Sequence, residues 1–450
     1  MKAAFLLFII ALVARLVIFG ALVSHYGTGS FYLANYGAVL TNNDSQNYVT
    51  IAKNLVEHKG YSRFVEAPFE PDSFRTPLLA FYFVPFVYFF GFSYVWLAML
   101  VLDIILSATA VAAYYLAKLF LPSISALWVG GLVALEPLLV YRTNIAEPDA
   151  LIVLLLILAL YYFVRFARGI QSNYLYLSFF FLALLSLAKP VGTYLIYFFA
   201  IAAGTIFWAR KTPLRDAAKQ IIIALAIAGG LLFPWLWRNS QAFGKWSMSS
   251  ITAYNFYYYY TGNISLPDEK WPSGQITGRD PIRNLKNEDV FLGIAKKRIR
   301  HQPLVYLKQH LIGTVRNFFA SDLVGFYNNG HQELLPVPYS PVNQVNFTAL
   351  FASGEFRALA LQLSSPGNFF YLLRHVGLAL FYLIILYQLI PLYLHDRRTF
   401  WWFTFFNILV LYFVFTPGTF VDAKYRLPVV PLLLIMFFHF FSESNKERVT

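Results

Sequence analysis

Long apolar runs separated by short charged turns dominate the chain. They predict helices over 3–23, 93–117, 124–141, 150–165, 174–188, 192–209, 220–237, 369–394, 400–416 and 427–441, several of them near or above the ~18–20 residues that a spanning helix needs. Segment 77–91 is the exception. As a helix it rises only about 22 Å against a hydrocarbon core of roughly 30 Å, and Pro85 interrupts it, so it is expected to lie in the outer interface. Within 24–92, Tyr48, Ile51, Ala52, Leu55 and Val56 share one face of a stretch opened by Asp44 and closed by Gly60. That pattern predicts a helix lying on the membrane with Asp44 at its N-cap. Val290–Arg300 and Val305–Phe319 mix apolar and basic positions, as headgroup-lying helices do.

The composition, 58% hydrophobic and 13% charged, agrees with an all-α polytopic membrane protein. A β-barrel would instead need strands of roughly 10 residues with alternating polarity. Having no cysteine, the chain has no disulfide, thiolate metal site or cysteine nucleophile. The net charge of +13 reads first as positive-inside loops and headgroup contacts, and more sharply as affinity for a phosphate-bearing lipid. Nucleic acid is not an expected partner, because there is no basic, aromatic-laced soluble module. Arg15 inside the first run favours an uncleaved anchor over a signal peptide.

With 77–91 kept in the interface, the basic residues at 118, 165–168, 210–219 and 397–398 all fall on the cytoplasmic side. Asp44, Glu57, Glu66, Glu70, Asp72, Glu147, Asp149 and Asp422 fall outside. The expectation is about ten spanning helices with both ends cytoplasmic. External regions lie at 24–92, 142–149, 189–191 and 238–368. The chain divides into a transmembrane module (1–237, including loop 24–92), an external region (238–368) and C-terminal helices with a short tail (369–450).

The residues able to carry chemistry gather on that outer side. Asp44 serves as a helix cap, as a substrate-facing carboxylate, or as both. Glu147 and Asp149 flank Pro148 in a short turn. Arg75, Lys189, Lys424 and Arg426 sit where segments re-enter the membrane. A lone basic residue at such a border is more often a snorkelling anchor. Several converging ones suit a phosphate, because Arg offers a bidentate fork and Lys a point charge. Arg15, Asp103 and Glu136 lie inside apolar segments and are expected to pair, Arg15 with Asp103 as a structural bridge. The eight histidines form no spaced metal cluster, and Tyr257–Tyr260 reads mostly as an interfacial aromatic belt.

Ala14-Arg15-Leu16, Asp44-Ser45-Gln46-Asn47-Tyr48, Arg75-Thr76-Pro77-Leu78, Ala146-Glu147-Pro148, Ala188-Lys189-Pro190, Pro234-Trp235-Leu236-Trp237-Arg238-Asn239 and Ala423-Lys424-Tyr425-Arg426-Leu427-Pro428 follow one another in order. The ordered set resembles the GT-C membrane glycosyltransferases of the protein O-mannosyltransferase and aminoarabinose-transferase superfamily (glycosyltransferase family 39-like). Ser45 stands where many relatives have a second acid, and Thr76 where lysine is common.

The resemblance implies a GT-C fold and inverting transfer of one sugar from a polyprenyl-phosphate donor to a protein, lipid or envelope glycan. Asp44 would be the general base, and Glu147 would orient the acceptor or share that task. Arg75, Lys189, Arg238, Lys424 and Arg426 would hold the donor phosphate, and Tyr48 and Tyr425 would make other substrate contacts. No cofactor is expected, and a divalent metal is not required for a single-phosphate leaving group. The expected location is the plasma (inner) membrane, with the site on the external or periplasmic face. Competing readings are a transporter or flippase of lipid-linked sugars, an oligosaccharide ligase or polymerase, and a non-catalytic scaffold. The first of these would favour paired broken helices in two matched halves, which the sequence lacks.

Overall fold

A computed structural model of the protein describes residues 2–31, 43–169, 171–267, 269–320 and 366–447. All regular structure among these residues is helical. In chain order the helices are α1 (Lys2–Tyr26), α2 (Asn43–Val56), α3 (Pro77–Phe90), α4 (Val95–Ala117), α5 (Ser123–Ala134), α6 (Pro137–Arg142), α7 (Asp149–Ala167), α8 (Asn173–Ala188) and α9 (Gly192–Ala209). They continue as α10 (Leu214–Phe243), α11 (Ile251–Tyr254), α12 (Glu288–His301), α13 (Pro303–Phe319), α14 (Pro366–Tyr387), α15 (Leu389–His395), α16 (Arg397–Phe415) and α17 (Val430–Glu447).

Among the described residues, eight helical segments are long and apolar enough to cross a membrane, and α3, α5 and α8 are shorter apolar helices. Outward-facing rings and branched chains such as Trp208, Phe89, Ile201 and Phe5 are 68–83% exposed. Water would penalise so much bare apolar surface, whereas lipid does not. The chain is a multi-pass membrane protein.

The core is centred on α7, whose apolar side chains are buried nearly all round, between α8 on one side and α4 on the other. α1 and α5 pack against α4, and α10 lies along α8. The two ends of this bundle differ in charge. At one end Arg210 donates to the Phe166 carbonyl (2.9 Å) and Arg168 to that of Leu119, with Arg398 close enough to repel both. The other end carries the α6–α7 turn, the start of α3, the end of α8 and the segment leading into α17.

One sequence expectation is corrected here. Segment 124–141 is two helices: Pro137 follows Glu136, which caps α6 by accepting from the Leu139 N–H. The proline cannot continue the hydrogen-bond ladder of α5, so the chain breaks there and Glu136 sits at the start of α6. The rings of Tyr257–Tyr260 do not all face outward. Asn255–Tyr260 winds one π-helical turn, in which Tyr260 is buried and donates to the Thr416 carbonyl (2.6 Å), while Tyr259 packs on Phe420. Tyr257 packs on Phe291, and Tyr258 is the exposed ring of the four.

The amphipathic helices at 288–301 and 303–319 form where the pattern put them. Backbone contact ties α13 to the loop before α17. A Cβ on Gly313 would lie 2.2 Å from the Gly418 carbonyl oxygen, so only glycine permits that approach. Residues 321–365 of the external region lie outside the described residues.

Candidate active site

A cavity of about 520 Å³ opens at the turn-bearing end of the bundle, walled by segments far apart in sequence. α2 supplies Asp44 and Tyr48. Asp44 stands one residue inside the helix, and its carboxyl reaches the Arg75 guanidinium. Tyr48, one turn on, is buried, and Arg75 packs over its ring at 5.5 Å. Arg75 is itself buried, held by a loop with little freedom. The Asp72 carboxylate accepts the N–H groups of Phe74 (3.1 Å) and Arg75 (2.8 Å) and pairs with Arg63 (2.7 Å). Thr76 then donates to the Ala188 carbonyl (2.8 Å), fastening the loop to the end of α8 beside Lys189.

The α6–α7 turn brings a second charge cluster to the same cavity. Arg142 reaches Glu147 (3.1 Å), Asp149 (4.0 Å) and Asp422 (3.4 Å). Lys189 pairs with Asp149 (2.6 Å), and Lys424 with Asp422 (3.4 Å). Three cations thus balance three carboxylates, which is what burial demands of charge.

The acids are not equivalent. Burial pushes Glu147, only 4% exposed, up to about 7, with the neighbouring Asp149 charge adding to the rise. Burial also raises Asp44 and Asp422, but nearby cations outweigh it and hold both below the ordinary carboxylate value. These are Arg75 and Lys424 for Asp44, and Lys424 and Arg142 for Asp422. With 45% of its side chain exposed, Asp44 is the acid that an incoming molecule meets first.

Seven of the sequence-predicted residues line this cavity together: Asp44, Glu147, Arg75, Lys189, Lys424, Tyr48 and Tyr425. Arg238 and Arg426 do not. Arg238 donates to the carbonyls of Asp72 (2.6 Å) and Tyr61 (3.3 Å), pinning the Arg75 loop from behind, and borders a separate apolar groove of about 500 Å³. Arg426 donates to the carbonyls of Phe318 and Ala320 at the end of α13. Both guanidiniums satisfy backbone acceptors that a helix end or loop would otherwise leave bare.

Comparison with protein-family models, curated proteins and solved structures returns no match.

Sequence reasoning gave no role to Arg142, which it placed at the head of the external turn 142–149, or to Arg283 in the external region 238–368. Arg283 lines the cavity, donates to the Tyr254 hydroxyl (3.2 Å) and lies over the same Phe74 ring as Arg75, at 5.0 and 4.5 Å. Two guanidiniums held on one ring repel each other, and an anion between them would relieve the repulsion. Asp149 was noted as a neighbour of Glu147, but its hold on Lys189 could not be read from spacing.

Proposed function

We propose that the protein is an inverting glycosyltransferase that takes one sugar from a polyprenyl-phosphate donor, with the active site on the outer face of the membrane. The observation carrying this reading is the Asp44–Arg75 pair at the mouth of the cavity, with Arg283, Lys189 and Lys424 around it. The positive-inside rule, applied to the arginine-rich opposite end, supports an external cavity. The sequence resemblance to GT-C enzymes adds to it.

The chemistry follows from how the pair is built. Before substrate arrives, Arg75 neutralises Asp44 and keeps it a weak base. A donor phosphate is the stronger partner for the Arg75 and Arg283 forks. As it binds, Asp44 loses its guanidinium partner, becomes more basic and can accept the proton of an acceptor hydroxyl or amine. The acceptor atom bonds to the sugar anomeric carbon from the face opposite the phosphate. The carbon–oxygen bond to phosphate breaks, its electron pair stays on the phosphate, and the arginines and lysines stabilise that charge. Products are the glycosylated acceptor, polyprenyl phosphate and a proton carried by Asp44 until solvent takes it. Glu147, bonded to Arg142 behind the pair, keeps the cluster in place and orients the acceptor.

The test uses purified protein in proteoliposomes with a polyprenyl-phosphate-linked radiolabelled sugar. Asp44→Asn should lower transfer by roughly 10²–10⁴-fold while donor lipid still binds. Near-normal turnover by that variant, or movement of label across the bilayer without covalent transfer, would refute the assignment.

A further inference from the structure

A second recess, about 680 Å³, opens on the far side of the cavity wall formed by Tyr259 and Phe420, which line both spaces. That volume lies within the ~300–1,000 Å³ of small-ligand sites. Its character differs from the cavity. The exposed rings of Tyr258 and Trp271 face the same space as the polar Asn263 and Thr419. Among the described residues the one charged group lining it, Arg298, is engaged by Glu269 (2.9 Å) and the Tyr257 carbonyl (2.8 Å). Its described lining therefore offers aromatic faces and neutral hydrogen-bonding groups but no unmatched charge, which suits a neutral, many-hydroxyl ligand better than a phosphate.

The rings are also oriented in advance. Tyr258 stacks on Tyr254 at 5.5 Å with an interplanar angle of 8°, and Trp271 packs on Phe291 at 5.9 Å. The π-helical turn produces this arrangement. It places Tyr258 outward and Tyr259 into the shared wall on consecutive residues.

We infer that this recess is an acceptor subsite for a saccharide, which lies with sugar rings against Tyr258 and Trp271 and extends past Tyr259 toward Asp44. The inference rests on the transferase reading and narrows its acceptor to a glycan. Sugar rings present apolar C–H faces to aromatic rings and hydroxyls to Asn263, and a chain held there would deliver its end to the base.

The experiment reads binding without turnover. Full-length protein in nanodiscs is titrated with soluble tetrasaccharides of glucose, mannose, galactose and N-acetylglucosamine, using saturation-transfer NMR and equilibrium dialysis. At least one should bind, Tyr258→Ala and Trp271→Ala should each weaken it about tenfold, and Trp271→Phe should restore most of the affinity. Absence of binding by every saccharide, or equal binding by both alanine variants, overturns the subsite. So does a loss confined to bound phospholipid, measured by native mass spectrometry, because the recess would then seat lipid headgroups. Saccharide binding with no sugar transfer from any donor lipid would leave the subsite standing and remove the transferase reading.

Discussion

Arg142→Met removes one cation from a buried cluster in which three cations face three carboxylates. Glu147, Asp149 and Asp422 then share Lys189 and Lys424. Stripping one partner from a buried ion pair costs roughly 3–5 kcal/mol. The cluster can recover part of this by taking up a proton, and Glu147, already raised to about 7 by burial, is the group to do so. The sign follows from linkage. A carboxyl whose folded pKa lies above its ordinary 4.5 binds more protons folded than unfolded, so its contribution falls as pH rises from 4.5 toward the folded value. Without Arg142 that folded value moves higher and the decline continues past pH 7. Between about pH 6 and about pH 8 the penalty of Arg142→Met should therefore grow by ~1.4 kcal/mol, one pKa step. Reversible unfolding in mixed detergent micelles at the two pH values measures it, with Arg142→Lys as the charge-keeping control. A penalty below ~1 kcal/mol, or one that shrinks toward alkaline pH, would refute the account of the cluster.

Other substitutions separate phosphate ligands from braces. Arg283→Ala should weaken donor-lipid binding by roughly 10–100-fold and leave acceptor KM unchanged, the range expected for a charge-assisted hydrogen bond; an effect on acceptor KM alone would contradict its role. Arg426→Ala should lower thermal stability without a matching loss of donor affinity, because its bonds go to the carbonyls of Phe318 and Ala320. Gly313→Ala forces α13 away from the Gly418 backbone and should destabilise the protein by about 1–3 kcal/mol in the same unfolding assay.

Much of the helical plan was legible because apolar runs and their bounding turns are local signals. α2 formed with Tyr48, Ile51 and Ala52 buried as its periodicity required, and Gly60 takes the left-handed conformation that turns the chain beyond it. The acidic turn at 147–149 and the cations at 75, 189 and 424 were also readable, each standing at a helix border. The misplaced arginines show the limit. Arg238 and Arg426 carry the same local signature as Arg75, but each meets a backbone carbonyl from a segment more than a hundred positions away. Only the packed chain decides which border arginine meets a carbonyl and which meets a carboxylate. Glu136-Pro137 was a visible break signal inside an apolar run, and α6 starts there. Arg283 had no such cue, since it ends one short 3₁₀ turn just before another, without periodicity.

The seam between α13 and the stretch preceding α17 carries a mechanical consequence. Gly313 abuts Gly418, Asn317 holds the Asp422 N–H at 3.0 Å, and Arg374 and Arg426 grip the last carbonyls of α13. Helix and strap are thereby riveted into one lever, with Lys424 at its inner tip and the amphipathic surface of α13 as its handle. On the transferase reading, a displacement of α13 would carry the Lys424 ammonium with it, because no loose connector separates the two.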